Sequence, residues 1–96
     1  MPKGYVIGRA DVTNSTAWAE YAAKAGEAMK KYGGNPIVRG GRMETVEGQS
    51  VPRNIVIEFA SFETALTYAR SAEYAAAKKL RQGAGTLDLV VVEGAP

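Results

Sequence analysis

Apolar residues recur along this chain of 96 residues with two alternating periods, and the switches between them mark out its elements. From Tyr5 to Val12 the period is two. Tyr5, Ile7, Arg9 and Asp11 fall on one face, and Val6, Gly8, Ala10 and Val12 on the other. Apolar residues on both faces predict a strand covered on both sides, with Arg9 and Asp11 answered by charges on a neighbouring strand. At Thr13-Asn14-Ser15-Thr16 the pattern turns helical, and Asn14 or Ser15 can cap the first exposed amides. Trp18, Tyr21, Ala22, Ala25, Met29 and Tyr32 then form one apolar stripe, while Glu20–Lys24 and Glu27–Lys31 pair on the opposite face. Alanines along the stripe predict close packing of this helix on a sheet. Gly33 supplies the left-handed residue that stops it.

A second strand is expected from Pro36 to about Val46 and a third from Val51 or Pro52 to Ala60. Glu47-Gly48-Gln49-Ser50 would be the hairpin loop, so the pair should be antiparallel. Asn54-Ile55-Val56-Ile57-Glu58-Phe59 is the strongest β segment of the chain. Ser61 caps a second helix whose inner stripe is Phe62, Ala65, Leu66 and Ala69. Ser71-Ala72-Glu73-Tyr74 repeats the cap signal and predicts a further helix at an angle, with Lys78, Lys79 and Arg81 near its negative end. Gly83 and Gly85 stop it, and Leu87 to Glu93 is the fourth strand. The order β-α-β-β-α-β with one extra helical segment predicts an α+β, ferredoxin-like fold in a single domain spanning residues 1–96. Its four strands would form an antiparallel sheet with the helices on one face. The apolar residues of the helix-free face then need a cover, and a second copy packed sheet to sheet supplies it. A homodimer is the expected assembly.

Composition narrows the function. With 46% hydrophobic and 23% charged residues the chain is globular in character, and its net charge of +2 is spread over interspersed charges of both signs. A nucleic-acid footprint would cluster Lys and Arg on one face. Arg53 to Phe59 echoes the third-strand motif of RNA-binding RRM domains, but Ile55 and Ile57 stand where base-stacking rings are needed, so no nucleic-acid partner is expected. Absence of Cys removes disulfides and thiolate chemistry; absence of His removes imidazole triads, proximal-histidine haem and histidine-ligated metals. No apolar run reaches membrane-span length, and Met1-Pro2-Lys3-Gly4-Tyr5 lacks the apolar core of a signal peptide, which predicts a cytoplasmic protein without a membrane partner. The acidic residues are not set at calcium-loop spacing. The glycine pairs lack the Gly-Lys-Ser/Thr ending of a phosphate loop, so neither a metal nor a cofactor is expected.

Lys3-Gly4-Tyr5, Lys31-Tyr32-Gly33-Gly34, Val38-Arg39-Gly40-Gly41-Arg42, Ile57-Glu58-Phe59-Ala60-Ser61-Phe62 and Ser71-Ala72-Glu73-Tyr74 follow one another along the chain, and then come Leu80-Arg81 and Val92-Glu93-Gly94. In this set, over essentially its whole length, the chain resembles the DUF1330 family. The resemblance implies the dimeric α/β-barrel superfamily, whose members include cofactor-free monooxygenases, muconolactone isomerases and ligand-sensing domains. It also implies a pocket between sheet and helices in each subunit. Two functions follow from it: a cofactor-free enzyme acting on a small aromatic, carbonyl or anionic compound, or a homodimer that binds or senses such a ligand without turnover.

The residues expected near such a pocket are Arg39, Tyr32, Tyr74, Arg81 and Ser71, as ligand-binding groups. Arg39 and Arg42 lie three apart and face opposite ways in a regular strand, unless a bulge at Gly40-Gly41 re-aims one of them. Arg39 shares a face with Ile37 and Met43, which predicts its burial; there it would hold a carboxylate or phenolate, or else pair with Glu58 or Asp11. Glu58, between Ile57 and Phe59, is the catalytic candidate as a general base raised by burial, and otherwise the structural partner of Arg9 or Arg39. Trp18 and Tyr21 are expected in the core.

Overall fold

Three polar side chains set where the helices begin. Asn14 Oδ1 accepts from the amide of Ala17 at 3.2 Å and Ser61 Oγ from that of Thr64 at 3.1 Å. Ser71 Oγ accepts from the amide of Tyr74 at 3.0 Å and donates to the carbonyl of Tyr68 at 2.7 Å, so one hydroxyl fixes the angle between two successive helices. The first helix ends in a Schellman arrangement. Gly33 is left-handed (φ 75°), and the amides of Gly33 and Gly34 return to the carbonyls of Lys30 and Met29. The computed structural model describes residues 2–96. Its elements are β1 (Gly4–Val12), α1 (Ser15–Lys31), β2 (Asn35–Arg39), β3 (Arg53–Phe59), α2 (Phe62–Ala69), α3 (Ala72–Lys79) and β4 (Gly85–Glu93).

The strands form one sheet in the order β2-β3-β1-β4, with every neighbouring pair antiparallel. This is the ferredoxin-like α+β fold that the element order predicts. In β1 the residues Gly4, Val6, Gly8 and Ala10 are buried on the helix-bearing face, and Val6 lies between Ile57 of β3 and Val91 of β4. Phe59 and Val6 are the largest fully buried side chains, and Phe59 stacks on Tyr68 at 5.2 Å between ring centres. The slab measures 38 × 35 × 16 Å, one sheet and one layer of helices thick.

On the helix-free face a row of apolar residues crosses all four strands in register: Val38, Val56, Ile7 and Val90. The rows that flank it, Asn35-Glu58-Tyr5-Val92 and Asn54-Arg9-Asp88, are polar except for Val92 on the edge strand. Arg9 thus stands opposite Asp88, the neighbouring charge expected for it, while the cover expected on both sides of β1 is present on the helix side alone.

Two elements depart from expectation. β2 stops at Arg39 instead of Val46, and residues 40–52 form an irregular connection in place of a short hairpin loop. Gly40 turns left-handed (φ 62°) as its amide makes a last bond to the carbonyl of Asn54 at 2.9 Å. Beyond it the strand pairing does not continue, and Val46 is 93% exposed. The bulge also falls elsewhere than Gly40-Gly41. Pro36 pairs with Ile57 and Val38 with Val56, which leaves Ile37 as the extra residue.

Candidate functional site

α2 lies directly against β1, β3 and β4, whereas α1 packs mainly on α3. The gap between α1 and the sheet is a cavity of about 440 Å³. An apolar cavity of about 150 Å³ suffices to hold benzene, so this one has room for a substituted ring. Its origin is a lack of side chains. α1 offers Ala22, Ala23, Ala25 and Gly26 along this stretch, and β1 offers Gly8. The expected close packing of the alanines on the sheet does not occur along this stretch, where the leucine tips of β4 lie over Gly8 on the cavity floor. A methyl group on Gly8 would stand 3.1 Å from Leu89 Cδ1 and 3.3 Å from Leu87 Cδ1. Val6, Ile55, Ile57, Leu87 and Leu89 make an apolar floor.

Positive charge enters from β2 and β3. The bulge at Ile37 puts Arg39 opposite Ile55, hence on the cavity side, and Arg53 lies two residues further along the same face of β3, opposite Ala10. Arg39 is exposed at the mouth, a correction to its expected burial. Arg53 is half-buried beneath the turn at Gly40, whose added methyl would meet its Cζ at 3.3 Å. Its Nε is buried and has no hydrogen-bond partner. Among the described residues that line the cavity, Glu27 is the one carboxylate, and it is exposed at the rim beside Lys30.

The buried wall is aromatic. Tyr21 and Tyr74 share a hydrogen bond between their hydroxyls at 2.9 Å, with rings edge to face at 6.2 Å. Trp18 packs on Tyr21 at 5.3 Å and Tyr68 on Tyr74 at 5.4 Å. The Arg81 guanidinium lies 5.2 Å from the centre of the Tyr21 ring and 5.9 Å from that of Trp18, a cation–π stack that fixes both rings. Burial pushes the Tyr21 hydroxyl far above the ordinary phenol range, the bond to Tyr74 adds to the shift, and the Arg81 charge works against it. Burial, with Tyr74 nearby, does the same to Tyr68. Tyr21 and Tyr68 therefore hold their protons throughout the neutral range.

The family described as a domain of unknown function, DUF1330, matches residues 3–95. The chain belongs to the DUF1330 family. No curated protein matches its sequence. Among solved structures it is similar to a protein of unknown function from Rhodopseudomonas palustris, with 16% identity over 99% of this chain and 84% of that one and a TM-score of 0.77. A protein from Nitrosomonas europaea, provisionally assigned as an antibiotic biosynthesis monooxygenase, superposes with a TM-score of 0.55 at 12% identity, over 96% of this chain and 89% of that one. A dimeric ferredoxin-like protein of unknown function from Thermobifida fusca gives 0.51 at 14% identity, covering 99% and 92% of the two chains. At these identities the likeness is one of fold.

The DUF1330 cavity brings together two of the ligand-binding residues expected from sequence, Arg39 and Tyr74. Arg81 stands behind the aromatic wall and acts on it through Tyr21 and Trp18. Tyr32 and Ser71 border a separate, shallow depression with Glu63, Leu66, Thr67 and Arg70. The Tyr32 hydroxyl donates to Glu73 Oε1 at 3.0 Å, and Ser71 is spent as a cap. Glu58 lies across the sheet from the cavity. It accepts from the Tyr5 hydroxyl at 3.1 Å and faces Lys3 Nζ at 3.7 Å, so its partner is neither Arg9 nor Arg39. The bond to Glu58 is the first cause that raises the Tyr5 hydroxyl above its ordinary value. Sequence reasoning missed Arg53, although its alternation with Ile55 and Ile57 marks it for the core face. It also favoured a core role for Tyr21 over a ligand-binding one.

Proposed function

We propose that this DUF1330 protein binds a small, largely apolar or aromatic anion in the cavity between α1 and the sheet, and does so as a homodimer. One observation carries the reading: the partnerless, buried Nε of Arg53 in the cavity wall, with Arg39 beside it at the mouth. A buried guanidinium N–H without an acceptor is costly, and a ligand carboxylate removes that cost by a charge-assisted bond of about 1.5–3 kcal/mol. The apolar floor receives the body of the ligand. The neutral tyrosines and the exposed Glu27 give the lining anchors and no buried base, which favours binding over proton abstraction. A second reading, cofactor-free oxidation or isomerisation of the bound compound, draws on the fold shared with the Nitrosomonas protein and on tyrosine hydroxyls suited to an oxyanion.

Calorimetric titration with 2-naphthoate and 2-naphthamide tests the first reading. The carboxylate should bind at least about tenfold more tightly than the amide, and Arg53→Met should erase the difference. Equal affinities for the two would reject it. Mass spectrometry of the incubated probe tests the second, which an unchanged compound speaks against. The homodimer rests on the apolar row Val38-Val56-Ile7-Val90 of the helix-free face and on the description of the Thermobifida protein as dimeric.

A further inference from the structure

The Tyr21 and Tyr74 hydroxyls hold two protons between them. Their mutual bond uses one, and among the described residues neither oxygen has another side-chain or backbone partner. The second proton therefore lacks an acceptor at a place where both residues are buried (7% and 5% exposed) and both line the cavity. Such a proton is costly to leave unmatched. Water entering through the mouth can take this proton in the empty cavity, but a ligand that fills the cavity displaces it and must supply the acceptor in its place. A second anionic group is a poor match for it, because the free proton sits on a neutral phenol; Arg81, whose buried Nε also lacks a partner, is not among the residues lining the cavity and lies over the ring faces.

We infer that the cavity ligand carries, besides its anionic group, a neutral hydrogen-bond-accepting oxygen, a ketone or aldehyde carbonyl, which receives the spare proton of the Tyr21–Tyr74 pair. The ligand class is thus an aromatic or apolar oxo-acid, with its carboxylate at Arg53 and Arg39 and its carbonyl at the buried tyrosines. This assignment rests on the anion-binding reading above. The Arg81 charge over the Tyr21 ring makes that phenol a stronger donor, and burial keeps the proton on it.

Two probes of nearly identical shape separate the possibilities: 4-acetylbenzoate, with a C=O, and 4-isopropenylbenzoate, with a C=CH₂ in its place. Titrated into the wild-type protein, the ketone should bind about three- to tenfold more tightly, the worth of one neutral hydrogen bond. Its carbonyl stretch should move to lower frequency on binding. In Tyr21→Phe/Tyr74→Phe both partners of a buried bond are replaced together by rings of the same shape, which keeps the fold, and the preference should vanish. Equal affinity of the two probes for wild type overturns the carbonyl assignment and leaves the anion site standing. Preference retained by the double variant also overturns it, since the carbonyl is then read elsewhere. If neither probe binds, the anion reading and this inference both fall.

Discussion

Gly4 and Gly8 stand four residues apart on the same face of β1, and the structure asks opposite things of them. A methyl group on Gly4 would lie 2.2 Å from the carbonyl oxygen of Ser61 and 2.6 Å from the Cα of Phe62. Backbone atoms cannot swing aside, so Gly4→Ala should lift the start of α2 off the sheet and destabilise the fold by about 2–3 kcal/mol in urea titration. A methyl group on Gly8 meets only the tips of Leu87 and Leu89, which can change rotamer. Gly8→Ala should stay within about 1 kcal/mol of wild type in the same titration. It should nonetheless weaken the binding of 4-acetylbenzoate, because the methyl and the displaced leucine tips share the cavity floor. Sequence alone cannot separate the two glycines, since both read as gaps in an alternating strand and the difference lies in which neighbour crosses each. Arg53 was missed, although an arginine in step with Ile55 and Ile57 marks a charge on the core face. Arg39 was legible as a pocket residue, but its exposure was not, because that depends on where β2 ends.

Between elements, the end of α1 is pinned to the start of α3. Lys31 Nζ and the Tyr32 hydroxyl both bond the carboxylate of Glu73. The bond to Lys31 above all, then a backbone bond and Tyr32, pulls the Glu73 carboxyl down from 4.5 to about 2. Since the folded value lies below the unfolded one, this contribution is complete above about pH 4.5 and is lost as pH falls towards about 2. Thermal melts of wild type and Glu73→Gln followed by circular dichroism should therefore differ at pH 6 and converge by pH 2; a gap that persists at pH 2 would refute the assignment. Because Lys31 is raised in turn by Glu73, the same tie weakens again at high pH, as the lysine loses its proton. The helix starts were legible because Asn14, Ser61 and Ser71 are polar caps placed before apolar stripes, and caps act locally. The length of β2, the bulge at Ile37 and the standing-off of α1 were not, because each depends on contacts distant in sequence. Met43 and Val46, which fall within the expected strand, lie exposed in the irregular connection instead. Alanines on α1 suit close packing and a gap equally well.

At the scale of the whole molecule, one face of a slab 16 Å thick is covered by helices, and the other presents Val38, Val56, Ile7 and Val90 in one row between largely polar rows. Val90 is 51% exposed and Val38 41%, so the row lies open to solvent along its outer strands. A two-fold axis through this face would set the row of one protomer against that of its partner and bury both, with the flanking rows at the rim of the contact. Light scattering at micromolar concentration should then report two chains of 10.2 kDa each. Val90→Asp puts a charge into that apolar row while leaving the helix-bearing core untouched, and it should run as a single chain with its circular dichroism spectrum unchanged. Coupled folding and association also make the wild-type melting temperature fall on dilution, whereas that of Val90→Asp should not depend on concentration. A wild-type protein that scatters as one chain, or a Val90→Asp variant that still scatters as two, would remove the sheet-to-sheet contact from the account of this fold.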